Sequence, residues 1–242
     1  MKGEKGVKRL YDRAPILFAG IWILLYIALP MLLLRLWGPQ YGVLAGHLVL
    51  AAALLAFLLI CGLTGSCGLA RWSKDQKRLL YLIPLWIVAA GNLWGGIRPE
   101  ALRSLNPAEV LTMALVGLLE ELLFRCLLLR GLERRLGRKA TVILSSLIFG
   151  LIHGANLLVG QELAATGLQI LSATAWGFLA AMVYCRGGSL LPCILAHALL
   201  DITSLFTATG PVLSLVFVGT TVLISLVYGL YLAKLPQKTP SP

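Results

Sequence analysis

Long apolar runs, separated by short polar stretches, dominate the pattern of the chain. Eight runs are recognised, and each is long enough to cross the hydrocarbon core of a bilayer, which needs about 20 apolar residues. Backbone groups inside lipid must be satisfied within their own segment, so these runs predict helices. The expected fold is therefore an all-α, polytopic membrane protein with about eight transmembrane helices. The runs cover approximately residues 14–36, 41–64, 79–97, 107–130, 139–159, 163–185, 189–209 and 211–233.

Composition agrees with this pattern, because 59% of the 242 residues are apolar and only 13% are charged. A soluble domain is usually about 45–50% apolar and about 25% charged. The first run is longer than the roughly 7–15 apolar residues of a signal peptide, so we expect it to be a retained helix. We divide the chain into residues 1–106, with a basic tail and three helices, residues 107–209, with the fourth to seventh helices, and residues 210–242, with the last helix and a tail.

The basic residues lie mostly on one side of the expected membrane. When the connections are assigned alternately, 17 of the 21 Lys and Arg fall on the side of both termini and 3 on the other. This asymmetry predicts that both termini are cytosolic. Anionic inner-leaflet lipids then account for the net charge of +11, and we exclude nucleic acid as a partner. The short loops suggest a prokaryotic plasma membrane.

Ionisable residues inside the apolar runs are the candidate functional residues, because a charge at mid-bilayer costs at least about 2.5–3.5 kcal/mol on insertion scales. Glu121 and Arg125 are four residues apart, which predicts an ion pair on one helix face. Glu120 points about 100° away from Glu121. The full set is Glu120, Glu121, Arg125, His47, His153, His197 and Asp201, of which His47 is expected only to pack or to form a hydrogen bond.

The depths of these residues agree with one another. At a rise of about 1.5 Å per residue, the fourth, fifth and seventh runs each carry their polar residue near the middle of the bilayer. We therefore predict one polar pocket, and the hypothesis fails if Glu120 lies more than about 10 Å from both His153 and His197 with no room for a solvent molecule among them. The pocket is expected to be lined by Glu120, Glu121, His153, His197 and Asp201.

Three segments resemble the motifs of the CPBP family of intramembrane proteases, also called the Abi family. That family includes CAAX prenyl proteases and bacteriocin-processing enzymes. Glu120 to Arg125 reads EELLFR and resembles the EExxxR motif, and Phe149 to His153 reads FGLIH and resembles FxxxH. His197 to Asp201 reads HALLD and resembles HxxxN or HxxxD. The three motifs occur in the family's order.

The resemblance implies roles for these residues. Glu120 and His153 would activate a water that attacks a peptide carbonyl, while Arg125 holds Glu121 in a structural pair. His197 and Asp201 would stabilise the oxyanion or orient the water. Asp201 departs from the prenyl-protease branch, which has Asn here. A carboxylate donates a hydrogen bond only when it is protonated, so Asp is a poorer donor to an oxyanion than Asn. The supporting residues are Glu121, Arg125, Phe149 and Asn156, of which Asn156 could orient His153 or bond to another helix.

We therefore expect an intramembrane endopeptidase that acts on a peptide or membrane-protein substrate, with lipidated substrates among the candidates. No cofactor is expected, although His153, His197 and Glu120 could instead hold a divalent metal such as zinc. Two other functions stay open: a non-catalytic membrane immunity or sensor protein, and a proton-coupled transporter with a buried Glu and His relay. The five cysteines form no CxxC pair and are expected to be reduced packing residues.

Overall fold

The computed structural model describes residues 2–69 and 80–235. These residues are almost entirely helical, and the β pairing among them is an isolated bridge between Ile97 and Thr207. The all-α prediction is confirmed. Five basic residues that we assigned to the cytosol lie outside the described residues: Arg71, Lys74, Lys77, Arg78 and Lys238.

The N-terminal part of the chain contains five α-helices. Proline lies in the first turn of the last four, where its missing N–H costs no intrahelical bond. Helix α4 is flanked by 3-10 turns at 80–82 and Gly91–Gly95. The helices are α1 Lys2–Arg13, α2 Pro15–Trp37, α3 Pro39–Ile60, α4 Ile83–Ala89 and α5 Pro99–Arg103.

Helix α1 differs from the expected tail, because residues that we treated as a basic extension form a helix. The side chain of Tyr11 is buried, and its ring packs edge-on against Phe18 at 5.6 Å and Phe57 at 5.8 Å. Arg134 stacks on the other side of the Tyr11 ring, with Cζ 4.9 Å from the ring centroid. One aromatic residue thus anchors the tail to the bundle.

The C-terminal part contains the other six α-helices, two of which continue into non-α turns. Helix α6 begins with Asn106 as its cap, whose side chain accepts a hydrogen bond from the N–H of Ala108 at 2.9 Å. The segments are α6 Pro107–Glu121, the π-helical segment Leu122–Leu129, α7 Arg130–Glu133, α8 Arg138–Ile152, the 3-10 segment His153–Val159, α9 Leu163–Gly187, α10 Leu191–Ser204 and α11 Pro211–Lys234.

Five helices among the described residues are long and apolar enough to cross a membrane. The predicted count of eight is therefore not confirmed. Large apolar side chains on these helices face outward, as lipid contact requires; Leu24 is 68% exposed and Leu223 is 63% exposed. The candidate spans are Pro15–Trp37, Tyr41–Ile60, Arg138–Val159, Leu163–Gly187 and Pro211–Lys234.

The three remaining runs depart from an uninterrupted apolar span for different reasons. The third is broken after Ala89, where α4 gives way to a 3-10 turn. The fourth continues from α6 to α7 but carries three buried ionisable residues. The seventh is α10, whose 14 residues reach roughly 21 Å, short of a hydrocarbon core of about 30 Å. The last two of these runs carry most of the candidate site.

Two helices, α9 and α6, organise the packing around the site. Helix α9 packs against α8 and α11, and α6 packs against α10 and α3. The approach of α6 to α10 depends on Gly117, since a Cβ there would lie 2.7 Å from the backbone N of Ala198. On α8, a Cβ at Gly150 would lie 2.7 Å from the carbonyl O of Ile170 on α9. These glycines let the helix backbones come close.

The prediction of reduced cysteines is wrong for one pair. Cys67, which follows α3, forms a disulfide with Cys126 of the π-helical segment, and their Cα atoms are 5.0 Å apart. The two are separated by 59 positions in the chain, so nothing in their spacing indicated that they meet. Cys185 and Cys193 remain thiols, in agreement with the expectation.

Candidate active site

The two adjacent glutamates lie at the C-terminal end of α6, and both are buried. Glu121 forms the ion pair expected from its spacing, with Oε2 at 3.1 Å from Nε of Arg125. Arg125 is 2% exposed, and its Cζ lies 4.5 Å from the centroid of the Phe149 ring. The helix becomes π-helical directly after Glu121, a local change that often marks functional sites.

His197, on α10, connects the carboxylates. Its Nδ1 lies 2.9 Å from Oε1 of Glu121, within hydrogen-bond distance. Its Nε2 lies 3.6 Å from Oε2 of Glu120 and also 3.6 Å from Oδ2 of Asp201. The indole ring of Trp176 packs against the imidazole at a centroid distance of 5.4 Å. Three carboxylates therefore surround one histidine, as the shared-pocket hypothesis requires.

Three buried carboxylate oxygens in this cluster lack a hydrogen-bond partner among the described residues, and one of them, Oε2 of Glu121, lies in the ion pair with Arg125. The other two are Oε2 of Glu120 and Oδ2 of Asp201. Buried carboxylate oxygens normally accept hydrogen bonds, because leaving them unsatisfied is costly. Both oxygens lie near the same Nε2 of His197. The cluster therefore presents two acceptors that a hydrogen-bond donor from a small molecule or a substrate would satisfy.

His153 begins the 3-10 segment that follows α8. Its Nδ1 donates a hydrogen bond to the carbonyl O of Phe149 at 2.9 Å, which leaves Nε2 with the lone pair in the neutral imidazole. The buried ring of Phe149 lies 5.3 Å from the His153 ring and 5.9 Å from the His197 ring. Phe149 thus forms a wall that both histidines share.

Asn156 forms a hydrogen bond to another helix, which was the second of its two predicted roles. Its Nδ2 donates to Oε1 of Gln169 on α9 at 2.8 Å. Gln161 donates to the same oxygen at 2.9 Å. Asn156 therefore links the 3-10 segment to α9, and it supports His153 only through the position of the backbone.

Tyr26 is a neighbour of the site that no motif indicated. Its hydroxyl, on α2, donates a hydrogen bond to Oε1 of Glu120 at 2.6 Å. The Tyr26 ring packs edge-on against His47 of α3 at 5.6 Å, and Nδ1 of His47 is held by the carbonyl of Val43 at 2.8 Å. The available signal was weak: a tyrosine inside an apolar run needs a partner for its hydroxyl.

The metal alternative requires a group of ligand side chains around one point. Among residues 2–69 and 80–235, no three or more His, Cys, Asp or Glu side chains are placed together so that they could hold a metal ion. The expected ligand set of His153, His197 and Glu120 is therefore not assembled. One ring nitrogen of His197 is already engaged by Glu121. We derive no step that uses a metal.

The fold and the buried site together define an all-helical integral membrane protein. Residues 105–203 match the family of Type II CAAX prenyl endopeptidase Rce1-like proteins. This segment contains all three motifs and the helices that carry them. The match covers less than half of the chain and confirms that this segment resembles the CPBP and CAAX prenyl proteases, whose members are intramembrane peptidases. No curated protein and no solved structure matches the chain.

Proposed function

We propose that the chain hydrolyses a peptide bond within the bilayer and that Glu120 is the general base. One observation carries this proposal: the unpartnered, buried oxygens of Glu120 and Asp201 both lie 3.6 Å from Nε2 of His197. A water that donates to Glu120 and contacts His197 would satisfy this geometry with hydrogen bonds of about 2.8 Å. Glu120 is then within reach of the proton that it must remove.

The proposed reaction has two parts: a base removes a proton from water, and a positive charge stabilises the oxyanion. Glu120 takes a proton from water as the oxygen attacks the carbonyl carbon, and the carbonyl oxygen becomes an oxyanion. Protonated His197 stabilises that negative charge, and its own charge is balanced by Glu121 at 2.9 Å. The C–N bond of the tetrahedral intermediate breaks as the proton on Glu120 passes to the leaving amine, and Nε2 of His153 accepts the second proton of the water. The products are a carboxylate and an amine, and His153 releases its proton to solvent, so the step is balanced.

Asp201 orients His197 in this scheme, since its Oδ2 lies 3.6 Å from Nε2 of the imidazole. Asn has nearly the same shape and keeps one acceptor oxygen. We therefore expect Asp201→Asn to retain activity within about tenfold, and Asp201→Leu to lose more, because Leu supplies no polar atom to the histidine. Equal activity of the two variants would remove Asp201 from the reaction.

The substrate class follows from where the site lies. A site among buried residues of membrane helices favours a peptide that enters from lipid, and the description of the family favours a lipidated C-terminal peptide. The asymmetry of basic residues favours both termini in the cytosol, and the short loops favour a prokaryotic plasma membrane.

Glu120→Gln is the direct test, because it removes the base and keeps the shape of the side chain. The matched control is Glu109→Gln, the same change in the exposed first turn of the same helix. Proteomes of cells that express each form at equal levels are compared with wild type. A peptide that stays uncleaved only with Glu120→Gln supports the proposal and identifies the substrate. Cleavage that is unchanged in Glu120→Gln cells overturns it.

The proposal also predicts that cleavage needs no bound metal ion. The purified protein should contain no stoichiometric zinc by elemental analysis. It should also keep its activity on the identified substrate after treatment with 1,10-phenanthroline. Loss of activity that added zinc restores would replace general-base catalysis by a metal mechanism.

A further inference from the structure

The carboxylate of Glu120 is held from outside the family-matched segment. The Tyr26 hydroxyl donates to Oε1 of Glu120 at 2.6 Å, within the range of hydrogen bonds from a hydroxyl to a charged carboxylate. The second oxygen of Glu120, Oε2, has no such partner among the described residues and faces His197. With Oε1 fixed, the plane of the carboxylate is fixed, and Oε2 is directed at the place where the proposal needs a base.

Tyr26 is itself held by its surroundings. Pro30 lies four residues further along α2 and has no N–H, so it cannot close the usual helical bond to the Tyr26 carbonyl. At this proline α2 meets α3 closely, since a Cβ at Gly46 would lie 2.8 Å from Cα of Pro30. The neighbouring His47, 6% exposed, packs edge-on against the Tyr26 ring. The packing of α2 on α3 therefore determines where the hydroxyl points.

We propose that Tyr26 is a positioning residue for Glu120 and that the helix pair α2–α3 is thereby part of the peptidase site. This inference rests on the proposed role of Glu120 as the base. Tyr26 does not need to touch the substrate; it acts by holding the Glu120 carboxylate in the orientation that accepts a proton from water. His47 acts one step further away, through its contact with the Tyr26 ring.

The test is Tyr26→Phe, which removes the hydroxyl and keeps the ring and its contact with His47. The matched control is Tyr228→Phe, because the Tyr228 hydroxyl also donates one hydrogen bond, to the carbonyl O of Tyr81 at 2.7 Å, but lies outside the site. Rates are measured on the substrate found with Glu120→Gln and are normalised to the folded fraction by size-exclusion chromatography. A preparation that folds poorly therefore still gives a rate for the folded protein.

The expected result for Tyr26→Phe is a fall in kcat of about tenfold or more, the order expected for losing one hydrogen bond to a charged group. KM should stay within about twofold, because the contact acts on the base and not on binding. The inference is overturned if kcat of Tyr26→Phe equals that of Tyr228→Phe, or if only KM changes. If Glu120→Gln cleaves normally, the proposed function fails and this inference fails with it. If Tyr26→Phe has the wild-type kcat while Glu120→Gln is inactive, the inference about Tyr26 fails and the proposed function stands.

Discussion

Replacing Gly117 by alanine adds one methyl group at the contact between α6 and α10. The added Cβ would lie 2.7 Å from the backbone N of Ala198, whereas ordinary van der Waals contact begins at about 3.4 Å. Backbone atoms cannot move aside as a side chain can, so the two helices must separate by about 0.7 Å. Gly117 lies one turn before Glu120 and Glu121, and the separation therefore acts directly on the site.

The catalytic effect follows from the hydrogen bond between α6 and α10. Nδ1 of His197 lies 2.9 Å from Oε1 of Glu121, and a separation of about 0.7 Å would take this pair beyond the roughly 3.2 Å limit of an N–H···O bond. Misplacement of a catalytic group by about 1 Å can cost about 100-fold in rate. We therefore expect Gly117→Ala to lower kcat by about 10- to 100-fold.

The free energy of unfolding should fall by no more than about 2.5 kcal/mol. Overpacking costs about 1–3 kcal/mol, and Ala in a helix interior returns about 0.5–1 kcal/mol relative to Gly. Gly167→Ala on α9 is the matched control, because a Cβ there meets nothing within 4 Å. Both variants are compared by cleavage of the identified substrate and by thermal unfolding followed by tryptophan fluorescence. If Gly117→Ala retains the kcat of Gly167→Ala, the close contact of these helices does not position the site.

Three further predictions concern the buried pair, a loop contact and topology. Arg125→Met should lower the free energy of unfolding by about 3–5 kcal/mol because it removes the arginine partner of buried Glu121 and leaves the three carboxylates of the cluster with His197 as their remaining cationic partner among the described residues. Adding Glu121→Gln should recover most of that loss, and no recovery would show that the pair is not its cause. Asn92→Ala removes a hydrogen bond of 2.7 Å to the carbonyl of Leu200. It should lower the free energy of unfolding, measured by thermal unfolding, by about 1 kcal/mol. A fluorescent protein fused to the C-terminus should fluoresce and alkaline phosphatase at the same point should be inactive; the reverse contradicts cytosolic termini.

The helical structure of the apolar runs could be predicted from the sequence, because lipid leaves the backbone no other way to satisfy its hydrogen bonds. The number of membrane crossings could not be predicted in this way. Apolar run length predicts where a helix can cross, and five runs satisfy that condition. It does not tell a lipid-facing helix from one enclosed by others. Helix α10 shows the difference, since its 14 residues include the buried, polar His197. A helix surrounded by protein can be short and polar, because its neighbours supply the contacts that lipid cannot.

The pairing of Glu121 with Arg125 could be predicted because both lie on one helix, whose period fixes their separation. For His197 and Glu121 the sequence predicted only that both line one pocket, not that they contact each other. Which of the two ring nitrogens faces which carboxylate depends on how α6 crosses α10, and that crossing depends on Gly117, which belongs to no motif. Local periodicity therefore gives contacts within a helix, while contacts between helices depend on small residues whose role appears only in the packed structure.

The family-matched segment, residues 105–203, contains every motif residue but does not complete the site. The helical period fixes the direction of the Cβ of Glu120, yet three further torsions separate Cβ direction from carboxylate orientation. The hydrogen bond that fixes them comes from Tyr26, 94 positions upstream. Helix α2 also packs on the π-helical segment, and α3 packs on α6. Because the N-terminal helices both pack on the helix that carries Glu120 and donate a hydrogen bond to its carboxylate, the proposed chemistry depends on residues that the motifs do not include.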